Sequence, residues 1–283
     1  MNRFLLGSPL LLALAACAGP SAKERAAQTS LLTPSAQRVL AEEAARPTRR
    51  ELVRGILPHN VRFVVEEDGE AKRTASGVVI GSELTAHGSV SYVLTNAHAL
   101  DTEGLTAPRM LVTLERQGEV HEYPAEPLAQ GSVPDMDLAL LRVRGLELPP
   151  AQLADDSELE PGGDVVVAAS PFGKSISLSG GMVSQVEWDR ALKSPRMLKT
   201  DAPIGYGASG GGVFSLETGR LLAIVEGYRT AKVGFDVAEQ SYSFDVPMPG
   251  ETFAAPASKV RRFLEEKGYG RLLQARPATT ARR

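Results

Sequence analysis

The chain has 283 residues, 43% of them hydrophobic and 23% charged, so it carries enough apolar material for a full core and is not disordered by composition. A formal net charge of −3 leaves no basic footprint for nucleic acid, and 5% aromatics leave no stacking platform for single strands. One large domain or two small β-domains sharing a cleft would both fit this length.

The first residues read as an export signal. Arg3 supplies a short positive region, and residues 5–14 form an apolar run broken by Gly7, Ser8 and Pro9, too short to span a bilayer. The run ends in Leu14-Ala15-Ala16-Cys17, which resembles the lipobox of bacterial lipoproteins. That resemblance implies a signal peptide over residues 1–16, cleavage before Cys17, and diacylation of the Cys17 thiol as a membrane anchor. Cys17 is the only cysteine, so no internal disulfide is available. By the same resemblance, Ala18 after the cysteine implies the outer membrane, with the domain facing the periplasm or the cell surface. Residues 17–55, rich in Ala, Ser, Pro, Arg and Glu, are expected to form a tether, in which residues 37–46 suit one short helix stopped by Pro47.

The pattern then turns to strands. Residues 61–65 run into Asp68-Gly69, a hairpin signal, and the chain resumes over 74–80. Further β-rich runs follow over 90–95, 110–115, 120–123, 138–143, 165–169, 182–188, 196–200, 212–216 and 221–225. Short strands at this spacing, with no helical period between them, predict an all-β barrel or sandwich and not a doubly wound sheet. One helix is predicted at the end, where Val260, Phe263 and Leu264 share a face and Gly268 suits the C-cap. A basic tail over 271–283 follows.

Between the last strands lies Gly205-Tyr206-Gly207-Ala208-Ser209-Gly210-Gly211-Gly212, which fits three chemical patterns. Gly205, Gly207 and Gly210 satisfy the G-x-G-x-x-G dinucleotide fingerprint. Gly207, Ser209 and Gly211 satisfy the G-x-S-x-G elbow of α/β-hydrolases. Ser209-Gly210-Gly211, with a glycine two residues before the serine, suits the nucleophile loop of a chymotrypsin-like protease. A flexible glycine turn is the fourth reading. Context removes the first, because the chain continues Gly211-Gly212-Val213-Phe214 and opens no helix to receive a pyrophosphate. Order removes the second, because all four histidines (His59, His87, His98 and His121) precede Ser209. The order His, Asp, Ser is the one this chain supplies.

His98 sits just past an apolar strand, among small residues that leave room for a substrate, as a general base needs. Asp137 stands at the mouth of the apolar run Leu138-Ala139-Leu140-Leu141, where a buried carboxylate would accept the Nδ1–H of the histidine. Its competitor Asp135, beside Pro134, is expected to face solvent. A second Ser-Gly-Gly, at Ser179, has no glycine two residues upstream. Only Ser209 has the backbone freedom that converges two N–H groups on one point.

Taken in order, Leu94-Thr95-Asn96-Ala97-His98, Asp137-Leu138-Ala139-Leu140-Leu141 and Thr200-Asp201-Ala202 with Gly207-Ala208-Ser209-Gly210-Gly211 resemble the three catalytic blocks of HtrA (Deg) type serine proteases. The likeness extends to Ser76-Gly77-Val78, Ser170-Pro171-Phe172-Gly173, Leu178-Ser179-Gly180-Gly181 and Phe253-Ala254-Ala255-Pro256, and covers roughly residues 60–267. It implies a trypsin-like double β-barrel with a C-terminal helix, a protease domain over 56–270, and protein or peptide substrates, with no cofactor or metal. Ser209 then becomes the nucleophile, His98 the base, Asp137 the orienting carboxylate, and the N–H groups of Gly207 and Ser209 the oxyanion hole. Pro203, Ile204, Glu226, Gly227 and Tyr228 are the implied substrate-binding residues. The oligomeric state stays open between monomer and trimer.

The departures from the family pattern matter as much. Gly205-Tyr206-Gly207-Ala208 replaces the usual Asn-Pro-Gly-Asn, so a less constrained loop is expected, with an oxyanion hole that forms when substrate binds. No PDZ domain is recognised after the protease domain. Ala255 replaces a larger apolar residue, and residues 246–252 add a Pro-rich turn. Pro203, six residues before Ser209, is implied at the base of the P1 pocket. With no acid there, small or medium apolar P1 residues are expected. The alternatives to a peptidase are a protease fold kept as a binding or sensing module, and an esterase on the same triad.

Overall fold

A computed structural model describes residues 46–237 and 240–273, together with Thr33, Ser35 and Ala36. The signal peptide, Cys17, nearly all of the helix expected over 37–46 and the tail beyond residue 273 lie outside the described residues.

Among the described residues, twelve antiparallel strands close into two barrels. The first contains β1 (Asn60–Glu67), β2 (Glu70–Thr85), β3 (Gly88–Thr95), β4 (Arg109–Arg116), β5 (Glu119–Gln130) and β6 (Ala139–Arg144), in the spatial order β1-β2-β3-β6-β5-β4. The second contains β7 (Asp164–Ala169), β8 (Ser177–Asp189), β9 (Ser194–Thr200), β10 (Gly212–Ser215), β11 (Leu221–Val237) and β12 (Gln240–Pro256), in the order β7-β8-β9-β12-β11-β10. The same topology is built twice, and it is the double β-barrel expected. The hairpin signal is real: Asp68 and Gly69 both have positive φ (55° and 79°) between the paired ends of β1 and β2, as a tight two-residue turn requires.

Strand alternation feeds three cores. Val61, Phe63, Val65, Val112 and Leu141 fill the first barrel; Val165, Val167, Val183, Leu198 and Val213 fill the second. Val78, Leu138, Leu140, Val166 and Ala168 join Phe214 and Ile224 in a third core. A strand buried on both faces reads as a continuous apolar run, which is why 138–143 and 165–169 show no polar alternation.

Helix α2 (Ala257–Glu266) buries Val260, Phe263 and Leu264 in this third core, as its periodicity predicts. Gly268, at φ 79°, ends it, with its neighbour Tyr269 N–H donating to Leu264 O at 2.6 Å.

Both expected domain limits move outward. Helix α1 (Arg49–Ile56) occupies the end of the stretch expected to be tether. A capping box starts it, with Thr48 Oγ1 accepting from Glu51 N and Thr48 N donating to the Glu51 carboxylate, and Ile56 is 1% exposed within the third core. The tail expected from 271 likewise begins inside the domain: Arg271 donates to Tyr92 Oη at 2.9 Å and pairs with Glu83, and Leu272 packs on Gly81. Ribbon β11–β12 was not foreseen in full. The Pro-rich turn expected over 246–252 is part of β12, and the strand expected over 221–225 runs on to Val237.

Ile56→Ala opens a cavity under α1, and an unfolding free energy lower by about 2–5 kcal/mol is the expected outcome in urea denaturation. Thr48→Ala removes only the cap and is expected to cost about 1 kcal/mol in the same assay.

Candidate active site

The register of the first barrel brings two distant segments together. Thr95, the last residue of β3, pairs with Ala139, the first of β6, so the chain leaving β3 meets the chain entering β6. Asn96 Nδ2 donates to Asp137 O at 2.8 Å and fixes the second segment against the first. His98 then opens a 3₁₀ turn, and both of its donors face Asp137: its backbone N–H reaches Oδ1 at 2.9 Å, and Nδ1 meets Oδ2 at 2.6 Å.

Asp137 is 7% exposed, and its competitor Asp135 is exposed. Burial alone would raise the Asp137 pKa, but the bonds from the His98 ring and the backbone N–H groups of His98 and Ala97 outweigh it, and the carboxyl lies below its ordinary value. The bond to Asp137 conversely lifts the His98 pKa, against partial burial, and the Asp137 and Glu226 charges add to the rise. With Nδ1–H held by the carboxylate, Nε2 is left as the acceptor. His59 has a different occupation, with Nδ1 on Pro149 O at 2.7 Å.

The serine comes from the second barrel, on the loop between β9 and β10. Two glycines give this loop its course. Gly210 has φ 83°, and a Cβ there would stand 2.1 Å from Ser76 O; Gly207 has φ 85°, and a Cβ there would stand 2.9 Å from Ser170 O. Other residues would be both strained and obstructed.

Ser76, 1% exposed on β2 of the first barrel, ties the loop down. Its N–H donates to Ser209 O at 2.7 Å and its hydroxyl to Gly207 O at 2.8 Å, while the hydroxyl accepts from Ser170 N at 2.8 Å. Thr95 Oγ1, next to the His98 segment, donates to Ser76 O at 2.7 Å. Phe172 N–H donates to Tyr206 O at 2.6 Å. Because carbonyl and N–H point to opposite sides of a trans peptide, the Gly207 N–H faces away from Phe172. Among the described residues, neither the Gly207 nor the Ser209 N–H donates to any protein group. The loop that lacks the stiff family sequence is thus held by hydrogen bonds.

Ser209 Oγ donates to Glu226 O at 3.4 Å, and no hydrogen bond joins it to His98 in this structure. Glu226, 11% exposed, forms an ion pair with Lys259 of α2, 8% exposed, at 2.8 Å. Burial lifts the Glu226 pKa above its ordinary value, with Lys259 opposing the rise in part. A lysine with this role was not anticipated; α2 reads from its periodicity as a core helix, and Lys259 does not stand out.

Of the implied substrate residues, Gly227 and Tyr228 line one cavity, Pro203 lines another, Ile204 lines both, and Glu226 lines neither. One of about 290 Å³ touches Ser209 and is lined by Ile204, Gly207, Gly227 and Tyr228, with Asp245 from β12 on its wall. The other, of about 280 Å³, is lined by Pro203, Val167, Phe172 and Ala208. Pro203 lines this second cavity and not the one beside Ser209.

Comparison with known proteins agrees with this architecture. Residues 75–224 match the trypsin-like peptidase domain family. A DegP-like periplasmic serine endoprotease from Ectopseudomonas mendocina (strain ymp) is 32% identical over 209 residues, which is 73% of this chain and 39% of that protein. One from Marinomonas sp. (strain MWYL1) is 30% identical over 184 residues, 64% of this chain and 34% of that protein. The chain therefore spans little more than a third of the length of these curated relatives. The crystal structure of the serine endoprotease from Yersinia pestis superposes with a TM-score of 0.56 at 20% identity, covering 78% of this chain and 66% of that one, and shares the fold. The resemblance to HtrA (Deg) type proteases is borne out by these relatives. A family match that runs from β2 through both barrels to β11 takes in more than half of the chain, and the chain belongs to the trypsin-like peptidase family.

Proposed function

We propose that this chain is a serine endopeptidase of the cell envelope that cleaves exported or misfolded proteins through an acyl-enzyme on Ser209. The observation that supports the reading is the double contact of His98 with Asp137, which holds the ring and its tautomer and leaves Nε2 free. Ser209 Oγ attacks the scissile carbonyl carbon as His98 Nε2 takes its proton. Asp137 stabilises the imidazolium that results. The N–H groups of Gly207 and Ser209 receive the oxyanion. His98 then protonates the leaving amine, the C–N bond breaks, and water repeats the sequence to release the acid and free Ser209.

The long bond from Ser209 Oγ to Glu226 O is a resting position. Catalytic hydrogen bonds that are long or absent in a free enzyme commonly tighten when substrate binds. The second reading, a binding or sensing module on the same fold, draws its support from this missing Ser209–His98 bond. The envelope location rests on the periplasmic naming of the relatives and on the lipobox-like Leu14-Ala15-Ala16-Cys17, whose lipid would tether the domain to the membrane.

A fluorophosphonate probe is expected to label the wild-type chain and not Ser209→Ala, with peptide hydrolysis falling roughly 10⁴- to 10⁶-fold in the variant. Failure to label either protein would favour the binding module. His98 must be neutral to act as base, so kcat/KM should rise with pH through a value raised above that of an ordinary histidine. Replacing the neighbouring ion pair together, as Glu226→Gln with Lys259→Met, removes a negative charge near the ring and should move that limb to lower pH. Ser76→Ala leaves Gly207 O and Ser170 N–H without their partner; we expect a stability loss of about 1–3 kcal/mol. Its kcat should fall about ten- to hundredfold as the oxyanion donors drift, read from steady-state kinetics below the unfolding transition.

A further inference from the structure

The outer half of the β11–β12 ribbon is a two-stranded arm with one face and two edges uncovered. Strand β10 pairs with β11 over Leu221–Ile224, and β9 pairs with β12 over Thr252–Ala254. Among the described residues, the stretches 230–237 and 240–247 therefore pair only with each other. Cross-strand partners share a face: Ala231 with Val246, Val233 with Phe244 and Phe235 with Tyr242 on one side, Thr230 with Pro247 and Lys232 with Asp245 on the other. Thr230 and Asp245 line the cavity beside Ser209, so the apolar face is the one turned from it. There Val233, Phe235, Tyr242 and Phe244 remain 43% to 51% exposed, a patch that calls for a partner.

The two edges differ. Pro247 and Pro249 remove two N–H donors from β12, a common way of blunting an edge. Residues 230–237 of β11 contain no proline, and their one lysine, Lys232, makes no hydrogen bond or ion pair among the described residues. A second copy of the same strand answers that lysine. Two-fold pairing of identical strands is antiparallel, and it keeps the apolar residues on one face only when the axis passes through a residue. Centred on Val233, the pairing sets Lys232 opposite Gly234; centred on Phe235, it sets Lys232 opposite Ala238. Centred on Gly234, it sets Lys232 opposite Asp236, Val233 opposite Phe235 and Ala231 opposite Val237, each twice by symmetry. The axis then passes the one residue of the stretch that has no side chain. Charge, apolar matching and space at the axis all select this register. We propose that the β11 edges of two copies of this chain pair in it and join the two ribbons into a four-stranded sheet. The sheet sets the apolar rows side by side and gives each ribbon the third strand it lacks. The contact is short beside a permanent interface, so the association is reversible, with a dissociation constant on the order of micromolar. An anionic lipid surface is the poorer match, because the ribbon turns through Asp236-Val237-Ala238-Glu239.

The test uses the full chain with Cys17→Ser, so that an introduced thiol is the only one. A Cβ at Gly234 would meet nothing closer than Tyr242 O at 3.7 Å, so Gly234→Cys fits the strand. Under mild oxidation this variant is expected to link two copies, because residues directly opposite on antiparallel strands stand within disulfide reach. Ser243→Cys, the Cα partner of Gly234 on β12, would stand three strand spacings from its mate, about 14 Å, and is expected to stay unlinked. In sedimentation equilibrium the chain without an added cysteine should show a reversible monomer and dimer. Lys232→Asp should weaken the dimer roughly tenfold or more, and Lys232→Asp combined with Asp236→Lys should restore it. A chain still monomeric at roughly 100 μM, an assembly that forms without the Gly234→Cys link, or a charge reversal with no effect would overturn the proposal. As much disulfide from Ser243→Cys as from Gly234→Cys would overturn the register and the proposal with it. A monomer that pellets with phosphatidylglycerol vesicles would give the apolar face to a membrane instead. None of these readouts uses Ser209, so they stand apart from the assignment of peptidase activity.

Discussion

The candidate site is split between two barrels, and everything it does depends on how one barrel is indexed against the other. His98 and Asp137 belong to the first, Ser209 and the two unengaged N–H groups to the second. The packing of Leu138, Leu140, Phe214 and Ile224 between them supplies cohesion, but apolar contact has no direction and by itself permits sliding. Ser76 supplies the direction. Its hydroxyl and amide reach Gly207, Ser209 and Ser170 of the second barrel, and its carbonyl is held by Thr95 beside the histidine segment. Four hydrogen bonds centred on the buried Ser76 are short-range and angular, which is what holding one loop in register against another requires.

The electrostatics of the site follow from the same crowding. Asp137 and Glu226 bring two carboxylates to one histidine, and a buried pair of like charges is unfavourable unless something answers it. His98 answers the first and Lys259 the second. Removing one member of the Glu226–Lys259 pair would strand a buried charge, whereas removing both leaves a repackable gap. Helix α2 therefore does more than close the third core; it carries the cation that answers the second carboxylate near His98.

Much of this was readable in advance, for a physical reason. Strand alternation, turn glycines and the order His, Asp, Ser are local or linear properties, so the eleven strand runs, the terminal helix and the pairing of His98 with Asp137 could be argued from residues alone. What escaped reading depended on neighbours far along the chain. Helix α1 carries its own signal in Thr48-x-x-Glu51, yet the composition around it resembles a tether, and only the burial of Ile56 shows which part belongs to the domain. The ribbon also had its signal, since Ala231, Val233 and Phe235 alternate with polar residues as Tyr242, Phe244 and Val246 do; Pro247 and Pro249 masked it. The placement of Pro203 was an inference by position, and position along a loop does not say on which side of the backbone a cavity lies. Asp245, 36 residues after Ser209, reaches the cavity only because the ribbon folds back.

The ribbon that does so is built differently from the barrels. From Thr230 to Val237 and from Gln240 to Pro247 each strand pairs only with the other, and Val233, Phe235, Tyr242 and Phe244 stay in solvent on one face. Two strands without a third, or without a covered apolar face, have little stability of their own. Warming should therefore loosen this arm while both barrels and the Ser76 contacts persist. An arm built this way melts apart from the barrels, so heat would reshape one wall of the cavity beside Ser209 before it disturbed the contact of His98 with Asp137.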